Sequence, residues 1–256
     1  MCLILFAYNV HPFYRLILAA NRDEFYERPS APADFWSRHP RVLGGIDLQE
    51  KGTWFGVTRQ GKFAAITNYR DPASWKADAP SRGKLVSRYL TGASTAEKYL
   101  KTISRQAAQY NGFNLLLGDS ENLFVYSNRG TAQKLKAGIH GVSNHLLDSP
   151  WPKVVRGKKL LKAALAKKGK DLEEALFGLL EDRRIPPDSQ LPDTGVNLEW
   201  ERMLSPMFIT SPVYGTRSST ILLLGRNKRI KFMEKVYDGE KEPWMTSRFS
   251  FLQEMP

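Results

Sequence analysis

Hairpin patterns in the N-terminal part of the chain constrain its fold more than any other feature. Residues 2–8 and 15–20 are apolar and flank a short turn that contains asparagine and proline. Two further apolar runs, 54–59 and 62–69, flank Gln60-Gly61. Apolar runs of this length with short polar connections predict β-hairpins, whose strands pair antiparallel. We therefore expect sheets that are built mainly from antiparallel strands.

Helical periodicity is confined to the middle of the chain. Residues 82–109 carry apolar side chains at helical spacing with a break near Thr91-Gly92, and 154–170 and 171–180 predict two further helices. Strands precede, separate and follow these helices without regular strand–helix alternation. This order predicts an α+β protein rather than a doubly wound parallel fold. The sequence also has no Gly-rich phosphate loop and no dinucleotide-binding fingerprint.

Three segments are predicted to lie outside regular structure. Residues 27–40 contain three prolines and are expected to be largely loop. Residues 214–217 are expected to form a turn before a strand at 218–224, because a glycine lies within them. Residues 237–256 are polar and are predicted to form a mobile tail. We expect the whole chain, 1–256, to be a single domain, since its length suits one large core.

Composition excludes several classes of protein. Hydrophobic residues make up 42% and charged residues 25% of the 256 residues, which is typical of a globular protein and excludes general disorder. A single cysteine excludes an internal disulfide and any multi-cysteine metal site. The four histidines have no metal-ligand spacing, so no metal is predicted. We find no targeting signal and no apolar run long enough to span a membrane, and these features predict a cytoplasmic protein.

The net charge of +12 is concentrated in one segment. Residues 154–170 contain seven lysines and arginines and no acid, with leucines interleaved at helical spacing. The pattern predicts an amphipathic helix with a cationic face, which is most often simply solvated. Two more specific interpretations are that this face binds an anionic membrane surface or that it binds an acidic ligand. Nucleic acid is not predicted as a partner, because the segment lacks interleaved aromatic residues and no nucleic-acid-binding motif occurs.

The only cysteine, Cys2, is positioned for chemistry. Removal of Met1 is expected, because the second residue is small, and the mature chain would then begin with a cysteine that carries a free α-amine. An α-amine has a pKa near 7.7–8.0, so part of it is an unprotonated base at neutral pH. A thiol and a base on one residue form a nucleophile activated by its own N-terminal amine. The structural alternative is a small apolar residue at the start of a buried strand.

Other polar residues follow apolar runs and are candidates to assist Cys2. Arg22 and Asp23 come directly after the second apolar run, on the hairpin that contains Cys2. A guanidinium favours a thiolate, and a carboxylate holds an ammonium or a guanidinium in place. The alternative is a solvated ion pair at a hairpin end.

Two asparagines and one arginine complete the candidate set. The side-chain amide of Asn68 or of Asn144 could donate to an oxyanion, although either residue also suits a turn. Arg217 could pair with a carboxylate ligand or with Asp23, or lie on the surface as an ordinary charge.

Several short motifs are specific when they are taken together. They are Met1-Cys2, Asn21-Arg22-Asp23-Glu24, Thr67-Asn68-Tyr69-Arg70-Asp71, Ser81-Arg82-Gly83, Phe113-Asn114-Leu115, Gly141-Val142-Ser143-Asn144 with Asp148, Pro150-Trp151-Pro152-Lys153 and Tyr214-Gly215-Thr216-Arg217-Ser218-Ser219. Together they resemble one known family, the NRDE or transport and Golgi organization 2 family, and the match runs from residue 2 to about 235.

The resemblance implies a fold and a set of roles. The family is similar to N-terminal-nucleophile (Ntn) hydrolases, a four-layer αββα sandwich, with penicillin V acylase and bile salt hydrolase as relatives. By that analogy Cys2 is the nucleophile, and Arg22 and Asp23 assist it, although they are adjacent here and spaced differently in those enzymes. Asn68 resembles the oxyanion-hole asparagine. Asn144 and Arg217 resemble the later active-site asparagine and arginine.

The resemblance leaves two functions open. The first is hydrolysis of a linear, non-peptide amide or a related acyl group by Cys2, with no cofactor required. The second is non-catalytic binding and trafficking of haem or of an acyl-CoA-like lipid, with which members of the family have been linked. Aromatic loops, the cationic segment and a cysteine able to meet haem iron favour the second function. A peripheral membrane or scaffold protein is a third interpretation.

Overall fold

The computed structural model describes residues 2–119, 121–239 and 242–255. In these residues the strands are β1 Cys2–Tyr8, β2 Tyr14–Phe25, β3 Ser30–Trp36, β4 His39–Asp47, β5 Phe55–Thr58, β6 Phe63–Asn68, β7 Phe113–Gly118, β8 Leu123–Ser127, β9 Gln133–Lys134, β10 Gly138–Val142, β11 Tyr214–Gly225, β12 Arg229–Val236 and β13 Met245–Leu252. The α-helices are α1 Gly83–Thr91, α2 Ala96–Ser104, α3 Pro152–Ala164, α4 Gly169–Leu180 and α5 Leu198–Leu204. Across the described ranges, every helix is too short or too polar to cross a bilayer.

The chain divides into two compact units whose segments alternate along the sequence. The first unit draws on residues 2–27, 137–143 and 147–250. The second draws on 28–136, 144–146 and the residues from 251 onward. Neither unit is one continuous stretch of sequence. The single domain predicted over the whole chain stays a prediction.

The first unit is a six-stranded sheet with α3 and α4 packed on it. The strand order is β10-β1-β2-β11-β12-β13, and β1 pairs antiparallel with both β2 and β10. Gly157 lets α3 approach β1 closely, because a Cβ at this position would lie 2.5 Å from Leu5 Cδ1. The main core residues of the unit are Leu3, Leu5, Ala7, Ile17, Ala19, Val154, Leu161, Leu172, Leu176, Leu180, Ile221, Leu223 and Met233.

The last strand of this sheet corrects the predicted tail. Residues 237–256 are not an unstructured tail throughout, because Met245–Leu252 forms the edge strand β13. Ser247 is buried, and Arg248 Nη1 donates to Glu173 Oε2 at 3.0 Å. Polar residues at alternate positions suit an edge strand with one solvated face, and such a strand is easily taken for a loop from its composition alone. Residues 240, 241 and 256 lie outside the described ranges.

The second unit is a seven-stranded antiparallel sheet covered by α1 and α2. The strand order is β3-β4-β5-β6-β7-β8-β9, so hairpin follows hairpin in sequence order. Tyr89 and Leu85 of α1 and Leu100 of α2 pack on Leu115 and Leu117 of β7. The two hairpins predicted from the sequence correspond to β1–β2 and β5–β6. The predicted α+β class with mainly antiparallel sheets is therefore confirmed.

The predicted loop at 27–40 is wrong, because most of it forms β3 and the start of β4. β3 lies at the edge of its sheet, and the pairing with β4 is irregular between Ala31 and Asp34. An edge strand tolerates proline because one side of it needs no ladder hydrogen bonds. Pro32 therefore does not exclude a strand here, although it would do so in the middle of a sheet.

Candidate active site

Cys2 lies in a cross-strand row with two polar residues. Cys2 of β1 is opposite Arg22 of β2, and Arg22 is opposite Ser218 of β11. Residues directly opposite each other in an antiparallel sheet project to the same face. The next row along, which contains Leu3 and Asn21, projects to the other face, and Leu3 belongs to the core there. The strand alternation therefore places the thiol, the guanidinium and the hydroxyl together, away from that core.

Arg22 and Asp23 are buried inside β2 and do not follow its end. The strand continues to Phe25, and Arg22 and Asp23 are only 6% and 1% exposed. The strand predicted from the apolar run 15–20 ends too early, because the run stops at Ala20 while the backbone pairing with β11 continues. A solvated ion pair at a hairpin end is excluded by this burial.

Asp23 is fixed by side chains of β11. Its Oδ1 accepts a hydrogen bond from Thr216 Oγ1 at 2.8 Å, and its backbone oxygen accepts one from the Tyr214 hydroxyl at 3.0 Å. Thr216 Oγ1 also accepts from the Ile209 N–H at 2.9 Å. Burial raises the pKa of the Asp23 carboxyl, while the charge of Lys153 and the bond from Thr216 act in the opposite direction. Asp23 is thus a buried acid held in one orientation.

The Cys2 thiol is half-buried at the start of β1. Burial raises its pKa, while the charge of Arg22 and a hydrogen bond from the Asp23 backbone partly oppose the rise. Ser143 Oγ donates to the Cys2 backbone oxygen at 3.0 Å and holds this end of the strand. At neutral pH the net effect favours the protonated thiol. A reaction at this sulfur therefore needs a base that removes its proton.

Arg217 does not lie in a turn. It belongs to β11, at the point where the pairing with β2 shifts register between Thr216 and Ser218. The predicted turn is wrong because Gly215 pairs with Glu24 within the strand ladder. The bulge adds one residue to the strand locally, which re-aims the side chain at this position.

The guanidinium of Arg217 binds backbone carbonyl groups. Nη1 donates to Phe25 O at 2.9 Å and to Tyr26 O at 2.8 Å, and Nε donates to Tyr237 O at 3.3 Å. Burial and the nearby charge of Arg22 lower the pKa of Arg217. These contacts fix the chain just after β2. The predicted role of Arg217 in the active site stays a prediction.

The two predicted asparagines lie together in the second unit. Asn68 ends β6, and Asn144 is fully buried. Asn144 Nδ2 donates to Asn68 O at 2.8 Å, and Asn144 O accepts from the Arg70 N–H at 2.7 Å. Asn114 Nδ2 supports the same loop by donating to His145 O at 2.9 Å. The contact brings the two residues together, while their oxyanion roles stay predictions.

Asn21 has a structural role that the sequence did not reveal. Its Nδ2 donates to Leu180 O and to Met207 O, each at 2.8 Å, and its Oδ1 accepts from Ser219 Oγ at 2.7 Å. The residue is 1% exposed. It ties β2 to the end of α4 and to the segment before β11. The indications in the sequence were its place at the start of the Asn21-Arg22-Asp23-Glu24 motif and at the end of an apolar run.

Lys153 and Ser218 occur in the motifs identified in the sequence, but they were not among the residues predicted for the site. Lys153, near the start of α3, is 5% exposed, and its Nζ donates to Leu204 O at 2.8 Å. Its charge lowers the pKa of Asp23, so it supports the ionised carboxylate. The buried Ser218 hydroxyl has no hydrogen-bond partner among the described residues. A hydroxyl in this state, beside Arg22, can still bond to a ligand or to water.

Asp148 forms a separate charged cluster in the first unit. Its Oδ2 lies 2.8 Å from His140 Nδ1, and its Oδ1 accepts from Lys158 Nζ at 2.6 Å and from the Gly141 N–H at 3.0 Å. Burial raises the pKa of Asp148, but these hydrogen bonds outweigh it and lower the pKa to about 2. The left-handed φ of 57° at this non-glycine residue is held by the same contacts.

We expect Asp148 to stabilise the fold above its unfolded pKa near 3.9 and to lose this effect as the pH falls toward 2. Asp148→Asn should lower the free energy of unfolding at pH 7 by about 1–2 kcal/mol, a value reduced for partial exposure. It should also flatten the loss of stability between about pH 4 and pH 2. Urea unfolding across this pH range, with exposed Asp78→Asn as the matched control, measures both effects. An equal response of the two variants would contradict the prediction.

The fold is that of the Ntn hydrolases, and two solved structures show it. An N-acylethanolamine-hydrolyzing acid amidase orthologue from Caenorhabditis elegans matches with a TM-score of 0.53 at 14% identity, over 87% of this chain and 92% of that one. The C2A mutant of a conjugated bile acid hydrolase from Clostridium perfringens matches with a TM-score of 0.50 at 10% identity, over 97% and 92% of the two chains. The predicted Ntn-hydrolase-like fold class is confirmed.

The chain belongs to the Transport and Golgi organisation 2 family, whose family model matches residues 1–239. The Transport and Golgi organization 2 homolog of Mus musculus is 36% identical over 98% of this chain and 99% of its own length. The resemblance found in the sequence motifs is therefore confirmed as family membership.

Proposed function

We propose that this protein is a hydrolase whose Cys2 thiol attacks a linear, non-peptide amide or a related acyl group. The observation that carries the proposal is the cross-strand row in which Cys2 lies opposite Arg22, the residue that precedes the buried Asp23 in β2. The two structural relatives named above are an amidase and a hydrolase by their names, which supports the same class of reaction.

The reaction requires that Cys2 become the first residue. After removal of Met1, the α-amine of Cys2 takes the proton from its own thiol, and the sulfur attacks the acyl carbon to form a C–S bond. The C–N bond then breaks, and the ammonium returns the proton to the leaving amine. Water hydrolyses the thioester, releasing the carboxylic acid and restoring the thiol. Because burial raises the pKa of Cys2, this base is needed to produce the nucleophile.

Arg22 and Asp23 support different stages of this reaction. The guanidinium of Arg22 stabilises negative charge on the sulfur, since it lies opposite Cys2 in the row. The Asp23 carboxylate, oriented by Thr216, favours the ammonium that forms when the amine takes the proton. Asn68 remains the proposed oxyanion donor, and Asn144 and Arg217 the proposed further active-site residues. The proposed location of this activity is the cytoplasm.

Intact-mass measurement tests the first requirement. We expect the purified native protein to lack Met1 and to gain one carbamidomethyl group within a brief iodoacetamide treatment near neutral pH. Cys2→Ala should gain none, since Cys2 is the only cysteine. Screening of linear N-acyl amides and acyl thioesters then identifies the substrate. Retention of Met1 in the native protein would remove the base and overturn the proposed mechanism.

A carrier for an acidic amphiphile is the second candidate function, and a cavity in the first unit favours it. The cavity has a volume of about 600 Å³, and its walls include prolines and the charged residues Lys153, Arg156, Lys159, Asp182 and Arg184. One acid among four cations leaves the cavity electropositive. Apolar walls with a positive charge suit the class that includes acyl-CoA and haem, both of which carry acidic groups on an apolar body.

Titration with palmitoyl-CoA and with haem tests this second function. We expect Lys159→Glu/Arg184→Glu to weaken binding of either compound at least about tenfold, since both side chains are exposed cavity cations. Lys98→Glu/Lys136→Glu, at exposed positions outside the cavity, is the matched control. Absence of both a Soret shift and acyl-CoA affinity in the wild-type protein would reject the carrier function and leave the hydrolase proposal intact.

A further inference from the structure

Two hairpin turns of the first unit lie side by side. The turn between β1 and β2 contains Val10 and Phe13, which are 44% and 54% exposed. The turn between β11 and β12 contacts it, since the Arg226 N–H donates to Phe13 O at 2.9 Å and Arg226 Nε donates to His11 O at 3.3 Å. Val10 and Phe13 are thus exposed on a turn that is held by hydrogen bonds from the neighbouring turn.

Cations lie next to this apolar pair and on the adjoining segments. Lys168, which follows α3, has its Nζ 5.7 Å from the centre of the Phe13 ring. Burial lowers the pKa of His11, and the charges of Arg226 and Lys168 lower it further, as expected where positive charge accumulates. Lys167 and Lys228 are also exposed on the adjoining segments. The hairpin-tip surface is defined here as Val10, Phe13, Lys167, Lys168, Arg226 and Lys228.

The rest of the cationic segment is partly neutralised. Arg156 pairs with Asp182 at 2.5 Å, and Lys158 pairs with Asp148 at 2.6 Å. Lys170 lies 3.8 Å from Glu174. In contrast, the four cations of the hairpin-tip surface form no ion pair with any described residue. Lys159 and Lys162 of the segment are also exposed without an ion pair in the part of the chain that the structure describes. Lys167 and Lys168 add unpaired positive charge at the end of the segment where the apolar side chains are exposed.

We propose that the hairpin-tip surface docks on an anionic lipid bilayer. Lysine and arginine side chains are attracted by the negative surface potential of such a bilayer, and exposed valine and phenylalanine side chains insert at its apolar boundary. Nucleic acid would satisfy the charges but offers no apolar layer for Val10. The inference is independent of the proposed hydrolase activity, because none of the six residues belongs to the candidate active site.

Vesicle flotation of the full chain tests this proposal. We expect the protein to float with vesicles of phosphatidylcholine containing about one third phosphatidylserine and not with pure phosphatidylcholine, and to dissociate at about 1 M salt. Lys167→Glu/Lys168→Glu should reduce the partition coefficient more than about twentyfold, since each cation near an anionic leaflet contributes about fivefold. Val10→Ser/Phe13→Ser should reduce it about tenfold through lost apolar burial.

The matched control keeps the same net charge as the lysine double variant. Lys98→Glu/Lys136→Glu reverses two exposed lysines elsewhere on the chain and should bind within about twofold of wild type. Equal losses in this control and in Lys167→Glu/Lys168→Glu would overturn the proposal. It would also be overturned if anionic vesicles failed to bind, if the apolar variant bound normally, or if the protein bound duplex DNA while ignoring vesicles.

Discussion

Cys2→Ala is expected to lower the hydrolysis of any linear amide that the wild-type protein turns over by about 10⁴-fold or more, because it removes the nucleophile. The measurement is release of the free amine from the best substrate of an N-acyl amide screen. Stability should change little, since Cys2 is only half-buried at a strand end and contributes one small side chain. The melting temperature therefore serves as the internal check on folding.

Comparison of Arg22→Lys with Arg22→Ala shows how much of the contribution of Arg22 comes from its positive charge and how much from the geometry of its guanidinium. Lysine keeps the positive charge opposite Cys2, so we expect Arg22→Lys to retain more activity than Arg22→Ala and to shift the pH profile of turnover less.

Turnover that survives in Cys2→Ala would refute the assignment of Cys2 as the nucleophile. Labelling of Cys2 without turnover of any amide or thioester would instead favour the carrier function.

Asn21→Asp is expected to lower the free energy of unfolding by about 3 kcal/mol or more, although it changes the side-chain volume very little. The amide donates to Leu180 O and to Met207 O inside the protein. A carboxylate cannot donate to either, so two carbonyl oxygens would face a buried negative charge. For a chain of this length the expected drop in melting temperature is about 6–12 °C.

Asn227→Asp is the matched control for this change. Asn227 lies in the exposed turn between β11 and β12, and its Oδ1 accepts from the Arg229 N–H at 3.1 Å, which an aspartate also does. Thermal unfolding should therefore leave the control near wild type. A similar loss in both variants would mean that added negative charge, and not the lost amide donors, explains the effect at Asn21.

Part of the candidate site could be predicted from local sequence. The apolar run that contains Leu3 to Tyr8 identified β1, and the single cysteine at its start identified the candidate nucleophile. The hairpin connection also predicted that Arg22 lies near Cys2, because a short turn leaves few alternative registers. These features depend on residues close in sequence, so periodicity and spacing were enough.

The environment of the site could not be predicted in this way. Asp23 is held by Thr216, which is 193 residues away in sequence, and the sequence pattern had placed Thr216 in a turn. Arg217 binds the carbonyl groups of Phe25 and Tyr26 because a register shift in β11 re-aims it. Neither a β-bulge nor a partner that is distant in sequence produces a periodic pattern of apolar residues, so neither can be predicted from such a pattern.

The sequence by itself determined the antiparallel α+β class, the family and the position of Cys2, because hairpin patterns, helical periodicity and short motifs are local properties. Only the tertiary structure decided that Asn21 is a buried structural tie and that Lys168 lies beside Phe13. The physical reason is the same for both. A buried amide, or a lysine on a surface, takes its role from the groups that folding brings to it, and Met207 reaches Asn21 across 186 residues of chain.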